Sequence, residues 1–506
     1  MKQFVKTVMI VTVFSMCEKF LGFLYRIYLS RTIGSEGIGL YQVALSVFAL
    51  LLTVVCSGTP ITVSRLMTKY RAEGKTDKVF KVISAGISFT LAVALPVALF
   101  FMVFGKKFAF MFADERCMKI FLVLVPGLVF TSVYSVLRGV FWGNKDFLPY
   151  SVTELLEETC MIIVGIVLIS RTTDVYQGAF RAGVAVLVSY VFSFTLASIT
   201  FILRKNKLKS PTNEFKPLLK SALPVTAMRT ANSLCSSLVS ILLPARLIAV
   251  GYTSTEAMSA FGATMGQTMP LLFIPTTLIG SFILVLIPEV SENYYSGRDY
   301  FLKRDVEKAI KFTVFLTALF VPVFLICGEE IGVLVFASHE CGKYLSSFSY
   351  LMLFMSLSSV TTSILNSMGL ENKTLVCFII SSAFMLLSAY FLPSVIGIYS
   401  LLVGLTFVYG MSTVLNLFLI GKNCKRKPKY LKFTLYTVAF ILPTTVLGFM
   451  VEKLLLSSLG TFMTLVLSMA VMVTFMCLLY AIFNLVDFKG AFKKIKPLKS
   501  KRSANA

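Results

Sequence analysis

Fourteen apolar stretches punctuate the chain, at approximately 5–30, 38–65, 82–104, 118–142, 148–169, 175–203, 217–250, 259–290, 309–327, 345–369, 374–392, 395–420, 433–450 and 460–485. Most are near or above the roughly 20 residues that carry an α-helix across a bilayer core of about 30 Å. Polar residues collect in the short segments between them. The pattern predicts an all-α polytopic membrane protein of about fourteen transmembrane helices. The stretch 217–250 exceeds one straight span, and Pro224 and Pro244 within it predict a bend or a partly interfacial course.

Charge sharpens this picture. Alternating the fourteen spans with the N-terminus inside divides the 48 Lys and Arg residues into 33 inside, 8 outside and 7 within spans. The inside set includes the clusters Lys69–Lys81, Arg204–Lys220, Arg298–Lys311, Lys422–Lys432 and Lys489–Arg502. Such a bias predicts a membrane protein with both termini cytoplasmic. It also assigns the net charge of +24 to topology and to contact with anionic lipids, and not to nucleic acid. The first stretch is too long for a signal-peptide core and has no small-residue cleavage site, so it is expected to be retained as a span.

Composition excludes a soluble domain: 57% of residues are hydrophobic and 14% charged, against about 25% charged in ordinary globular chains. The ten cysteines contain no C-x-x-C pair, and the chain has a single histidine. Neither the usual zinc nor the usual iron–sulfur ligand set can be assembled from them. Phosphate-binding loops, nucleophile elbows and metalloprotease motifs are lacking as well. An enzyme is not expected, nor is a cofactor.

The chain also repeats itself. Ser135-Val136-Leu137, followed after six residues by Asn144-Lys145, matches Ser363-Ile364-Leu365 followed after six residues by Asn372-Lys373. Basic segments close each set of six spans. The expected organisation is a six-helix bundle at 1–203, a linker at 204–216, a second bundle at 217–421 and a linker at 422–432. Two helices at 433–485 and a basic tail at 486–506 follow. Parallel repeats of this kind rock about a central site in transporters.

Longer motifs then become recognisable. Phe20-Leu21-Gly22-Phe23-Leu24-Tyr25-Arg26 and Arg31-Thr32-Ile33-Gly34-Ser35-Glu36-Gly37-Ile38-Gly39-Leu40-Tyr41-Gln42 resemble the opening of the stage V sporulation protein B family. Ser57-Gly58-Thr59-Pro60, Val63-Ser64-Arg65 and Ile287-Pro288-Glu289-Val290-Ser291-Glu292 extend the resemblance through both bundles. That family belongs to the multidrug/oligosaccharidyl-lipid/polysaccharide (MOP) exporter superfamily and is similar to lipid II flippases. The resemblance implies a MATE-like fold acting on a polyprenyl-pyrophosphate-linked saccharide, with the final helix pair forming a groove for the lipid tail. In a gapless alignment, the cavity arginine of the flippases falls on Tyr25, one residue before Arg26.

The candidate site residues are charges at membrane depth. Each costs about 2.5–3.5 kcal/mol on insertion scales, so each is expected to face protein or a watery cavity. Lys19, Arg26, Arg65, Arg138 and Arg229 form the expected cationic substrate site. Lys19 and Arg26, two helical turns apart, share a face. Arg181 and Arg246 sit near outer span ends and read as structural. Glu154 and Glu158, four apart on the fifth span, are candidates for coupling to a sodium ion or proton, or for neutralising Arg138 or Arg229. With Glu18, Glu157 and Glu289 counted, seven positive charges face five negative ones. The chain is read as a monomer. The alternatives are a multidrug–cation antiporter of the same superfamily and a membrane scaffold that transports nothing.

Overall fold

The computed structural model describes residues 2–205, 207–211, 214–456, 460–483 and 485, with side chains from residue 11 onward except at 228, 281, 284, 285 and 456. The basic tail 486–506 and three residues of the first linker lie outside the described residues. The chain is 89% helical, without a strand among the described residues.

Helices run in the order α1 (Lys2–Cys56), α2 (Thr59–Ala72), α3 (Thr76–Phe104), α4 (Glu115–Leu124), α5 (Gly127–Gly143), α6 (Phe147–Ile169), α7 (Val175–Leu203), α8 (Phe215–Ala249) and α9 (Ser254–Phe261). A π-helical turn at Gly262–Thr268 leads into α10 (Met269–Tyr295), then α11 (Asp299–Ile326), α12 (Gly328–Phe336), α13 (His339–Phe348), α14 (Leu351–Ser367) and α15 (Glu371–Phe391). Short α16 (Pro393–Ile396) and α17 (Ser400–Thr406) precede a second π turn at Phe407–Met411 and α18 (Ser412–Asn423). The described helices end with α19 (Leu431–Leu456) and α20 (Thr461–Ile482).

Among the described residues, nine helices are long and apolar enough to cross a membrane, or eleven when each of two bent pairs counts as one span. The expected number of fourteen is not reached on this measure, and two causes are visible. The first two expected spans are joined: α1 is interrupted only at Gly34, whose φ of 66° and ψ of −176° break the helix where the sequence suggested a loop. Residues with a Cβ rarely adopt such a φ. Helix α6 has 23 residues, but three glutamates near its middle raise the polarity of every long window through it. Helix α8, expected to bend, is one continuous 35-residue helix through Pro224 and Pro244. The bent pairs are α4–α5, at 44°, and α13–α14, at 59°. They are the two spans that the sequence repeat relates.

The chain forms two compact units. The first comprises residues up to Pro270 with Val335–Cys341 and Phe378–Val408; the second comprises Leu271–Leu334, Gly342–Cys377 and the residues from Tyr409 onward. Lipid is as apolar as leucine, so helices in a bilayer associate through close packing and not through escape from solvent. In the first unit, Val63, Met67, Ile83, Val136 and Val140 knit α2, α3 and α5 together. A Cβ on Gly139 would stand 2.6 Å from the Pro60 carbonyl oxygen, so α5 rests on the start of α2. In the second unit, Tyr480 of α20 is fully buried, with the rings of Phe315, Phe433 and Phe440 at 4.8, 5.9 and 5.7 Å.

A polar clamp ties three segments of the first unit. Asp114 caps α4 and binds the Arg116 guanidinium at 2.8 Å. Arg116 also reaches Glu36 of α1 at 2.8 Å, and Ser254 at the start of α9 donates to Asp114. Burial alone would raise the Asp114 carboxyl, but the hydrogen bonds from Arg116 and Ser254 outweigh it and hold the group below its ordinary range.

Candidate functional site

Helix α6 packs against α1, α5 and α7 of the first unit. Its three central glutamates therefore turn inward in different directions, each toward a neighbouring helix and not toward lipid. Between α1, α5, α6 and α8 lies a cavity of about 400 Å³. Its charged lining consists of Glu18 from α1, Arg138 from α5, Glu154, Glu157 and Glu158 from α6, and Arg229 from α8. Thr53, Ser57, Thr131 and Ser135 add hydroxyls. A hydroxyl-lined space at this depth supplies the hydrogen bonds that charged groups require inside a membrane protein.

The two arginines stand in different circumstances. Arg138 Nη1 lies 3.2 Å from Glu154 Oε1, with the guanidinium carbon 5.3 Å from the centre of the Trp142 ring. Tyr134 donates to the same Glu154 oxygen at 3.5 Å. Arg138 is thus half-buried and neutralised, though its Nε is buried without a hydrogen-bond partner. Arg229 is exposed to the cavity, and its Nη1 donates to the Ser57 carbonyl at the α1–α2 break over a long 3.4 Å. Its guanidinium is the more available of the two for an incoming anion.

Glu158 reaches toward α1, where Gly22 leaves room: a Cβ there would meet Glu158 Oε1 at 2.8 Å. One turn further along, Arg26 lies within electrostatic reach of Glu158 and donates to the Gly266 carbonyl at 3.4 Å. Gly266 belongs to the π-helical turn, a local irregularity often found at functional positions. Tyr25, on which the flippases' cavity arginine falls, is 4% exposed and packs against Gly165 of α6.

The candidate residues are thus only partly brought together. Arg138, Arg229, Glu154 and Glu158 line one cavity, and Arg26 adjoins Glu158. Lys19 is exposed and outside the lining, and exposed Arg65 binds the Ser221 hydroxyl of α8. Glu18 and Glu157, left out of the candidate site by its spacing, complete the lining, so four carboxyls face two guanidiniums there. Glu157 stands three residues from Glu154, but its sequence position does not say which neighbouring helix it meets. Its place follows from α6 being enclosed on several sides. The outer arginines have local partners: Arg181 donates to the Leu168 carbonyl at 2.8 Å, and Arg246 donates to the Tyr390 carbonyl at 3.0 Å while stacking over that ring at 4.4 Å. Among the described residues, no cluster of His, Cys, Asp or Glu has a spacing that would hold a metal ion.

Comparison with known proteins places this architecture. The chain is 24% identical over 387 residues, 74% of each chain, to stage V sporulation protein B of Bacillus subtilis (strain 168). Its fold resembles a solved structure of the lipid II flippase MurJ in an inward closed conformation, with a TM-score of 0.76 at 14% identity, covering 94% of this chain and 99% of that one. It also resembles an inward-facing multidrug resistance MATE family transporter of the MOP superfamily, with a TM-score of 0.66 at 15% identity, covering 85% and 96%. The protein is a multi-pass membrane protein with the MurJ and MATE fold. Residues 4–294, more than half the chain, match the family model described as polysaccharide biosynthesis protein, and the chain belongs to that family.

Proposed function

We propose that the protein is a flippase of the bacterial cytoplasmic membrane that moves an undecaprenyl-pyrophosphate-linked saccharide, lipid II or a related cell-wall or spore-cortex precursor, from the inner to the outer leaflet by alternating access. The observation that carries this reading is Arg229: an available guanidinium inside a hydroxyl-lined cavity of a chain whose family concerns polysaccharide biosynthesis. A guanidinium matches the paired oxygens of a phosphate. The two six-helix bundles would rock about the substrate, the α19–α20 pair would hold the polyprenyl tail, and both termini would lie in the cytoplasm.

The carboxyls give the cavity a second task. A pyrophosphate brings negative charge into a site that already holds four glutamates, and neutralising them with a proton or sodium ion would ease its entry. Glu154 is committed to Arg138, whereas Glu158 and Glu157 have no ion pair among the described residues. Cation binding at Glu158 and Glu157 would then favour substrate binding, and cation release would favour substrate release. A membrane potential of 100 mV, negative inside, adds about 2.3 kcal/mol per negative charge moved outward.

The excess of carboxyls also favours a second reading, a multidrug–cation antiporter, in which the glutamates bind the cargo directly. Reconstituted proteoliposomes separate the two. On the first reading, a fluorescent polyprenyl-pyrophosphate saccharide crosses between leaflets at a rate that falls in Glu157→Gln/Glu158→Gln and changes its dependence on sodium or pH. Uptake of cationic dyes with no saccharide movement would favour the second.

A further inference from the structure

Away from the charged cavity, the first unit carries a groove of different chemistry. It has a volume of about 440 Å³ and lies between α3, α5 and α7. Ile87 and Leu91 form one wall, Val133 and Phe130 the floor, and Phe194 and Phe201 the other wall; Ser198 is its one polar lining residue. The Phe130 and Phe194 rings meet at 5.6 Å. At 1.5 Å per residue, the stretch of α7 from Phe194 to Ile202 spans about 12 Å, close to the depth of one hydrocarbon leaflet.

One end of the groove is built in an unusual way. Helix α7 stops at Leu203, and Lys205 takes a positive φ of 52° that turns the chain back over α3. The turned segment is pinned twice, by the Lys209 backbone N–H donating to Ser84 Oγ at 3.1 Å and by the Lys209 ammonium at 2.6 Å from Asp77. That anchorage lays Leu208 across the groove's end. Arg204 is neutralised by Asp146 at 2.9 Å. Exposed Lys205 and Lys207 carry no ion pair among the described residues, and they stand directly beside the groove-lining Ile202 and Leu208.

We propose that this groove binds an anionic membrane phospholipid, with an acyl chain between α3, α5 and α7 and its phosphate at Lys205 and Lys207. The walls are too apolar for a saccharide, and they belong to helices that cross the bilayer, so the occupant is a hydrocarbon chain. Two uncompensated cations at one end select a negative headgroup over a zwitterionic one. The site is separate from the charged cavity, and it ties the lipid to the segment that joins α7 to α8, the helix carrying Arg229.

Native mass spectrometry of the full-length protein in detergent tests this, with phosphatidylglycerol and phosphatidylcholine of identical acyl chains as probes. Each cation near an anionic headgroup is worth about fivefold in binding, so the wild-type protein should retain phosphatidylglycerol at least about fivefold more tightly. Lys205→Gln/Lys207→Gln, at exposed positions with no packing to lose, should bring the two lipids to parity. Val133→Trp should displace the retained lipid at unchanged melting temperature. Equal retention of both lipids by the wild-type protein would overturn the proposal, as would undiminished selectivity in the lysine double variant. So would selection of undecaprenyl phosphate with no preference for phosphatidylglycerol, which would make the groove a substrate-tail site. None of these readouts involves saccharide transport.

Discussion

Replacing Arg229 should separate binding from folding more cleanly than any other change in the cavity. Among the described residues, its guanidinium makes one hydrogen bond, at 3.4 Å to the Ser57 carbonyl, longer than the usual 2.7–3.2 Å, and the side chain is exposed to the cavity. Arg229→Ala should therefore change stability by no more than about 0.5 kcal/mol. A hydrogen bond to a charged group is worth about 1.5–3 kcal/mol, so affinity for a polyprenyl pyrophosphate should fall about 10- to 150-fold. Arg229→Lys should recover part of it, keeping the charge and losing the paired donor geometry. Arg138→Ala should behave differently, because it strips Glu154 of a partner. The two side chains retain 29% and 21% exposure, so the cost falls below the 3–5 kcal/mol of a fully buried pair, at about 1–2 kcal/mol. Thermal unfolding and lipid binding by thermophoresis, on the same detergent preparations, measure both quantities. Wild-type affinity in Arg229→Ala would remove the basis for a phosphate site. A stability loss matching that of Arg138→Ala would show that Arg229 is structural.

Other outcomes follow from the packing and from the clamp at α4. Gly139→Ala, whose methyl would press on the Pro60 backbone, should cost about 1–3 kcal/mol, read as a lower melting temperature; an unchanged melting point would contradict the close α2–α5 contact. Asp114 is held below its ordinary range, so it contributes stability above the unfolded value near 3.9 that is lost as pH falls through the lower folded value. Asp114→Asn should lower the melting temperature at neutral pH and narrow its difference from wild type in strong acid, and a constant difference across that window would refute the linkage. For topology, Lys75→Cys and Lys427→Cys, in a background without the ten native cysteines, should resist an impermeant thiol reagent in intact cells while Lys343→Cys labels. Labelling of the first two would reverse the orientation.

The fold class was legible because hydropathy along a chain reports a bilayer directly, and the long motifs around Gly34 and Pro60 carried the family. Helix joints were less legible. Gly34 interrupts α1 with one residue, where a run of Arg31, Ser35 and Glu36 suggests a loop, and α11 begins at Asp299, so the basic run after Arg298 is helical and not a connecting loop. In the site, a spacing of four kept Glu154 and Glu158 close enough along α6 to line one cavity, although the first meets α5 and the second meets α1. Lys19 shows the limit of the same reasoning. Its seven-residue spacing from Arg26 sets their relative direction but says nothing of which helix they meet, and it is Glu18 that lines the cavity. The sign of the lining was likewise hidden, because Arg26, Arg65 and Lys19 could be counted along the chain but not placed.

The central claim is movement of a lipid-linked saccharide, and one measurement addresses it most directly. In cells depleted of their own lipid II flippase, this protein should restore growth and return lipid II to the outer leaflet, measured by its accessibility to an externally added lipid II-cleaving toxin. Arg229→Ala, present at equal abundance, should restore neither. No externally accessible lipid II in cells that accumulate the wild-type protein in their membrane would contradict lipid II as cargo, and full rescue by Arg229→Ala would contradict the cavity as its path.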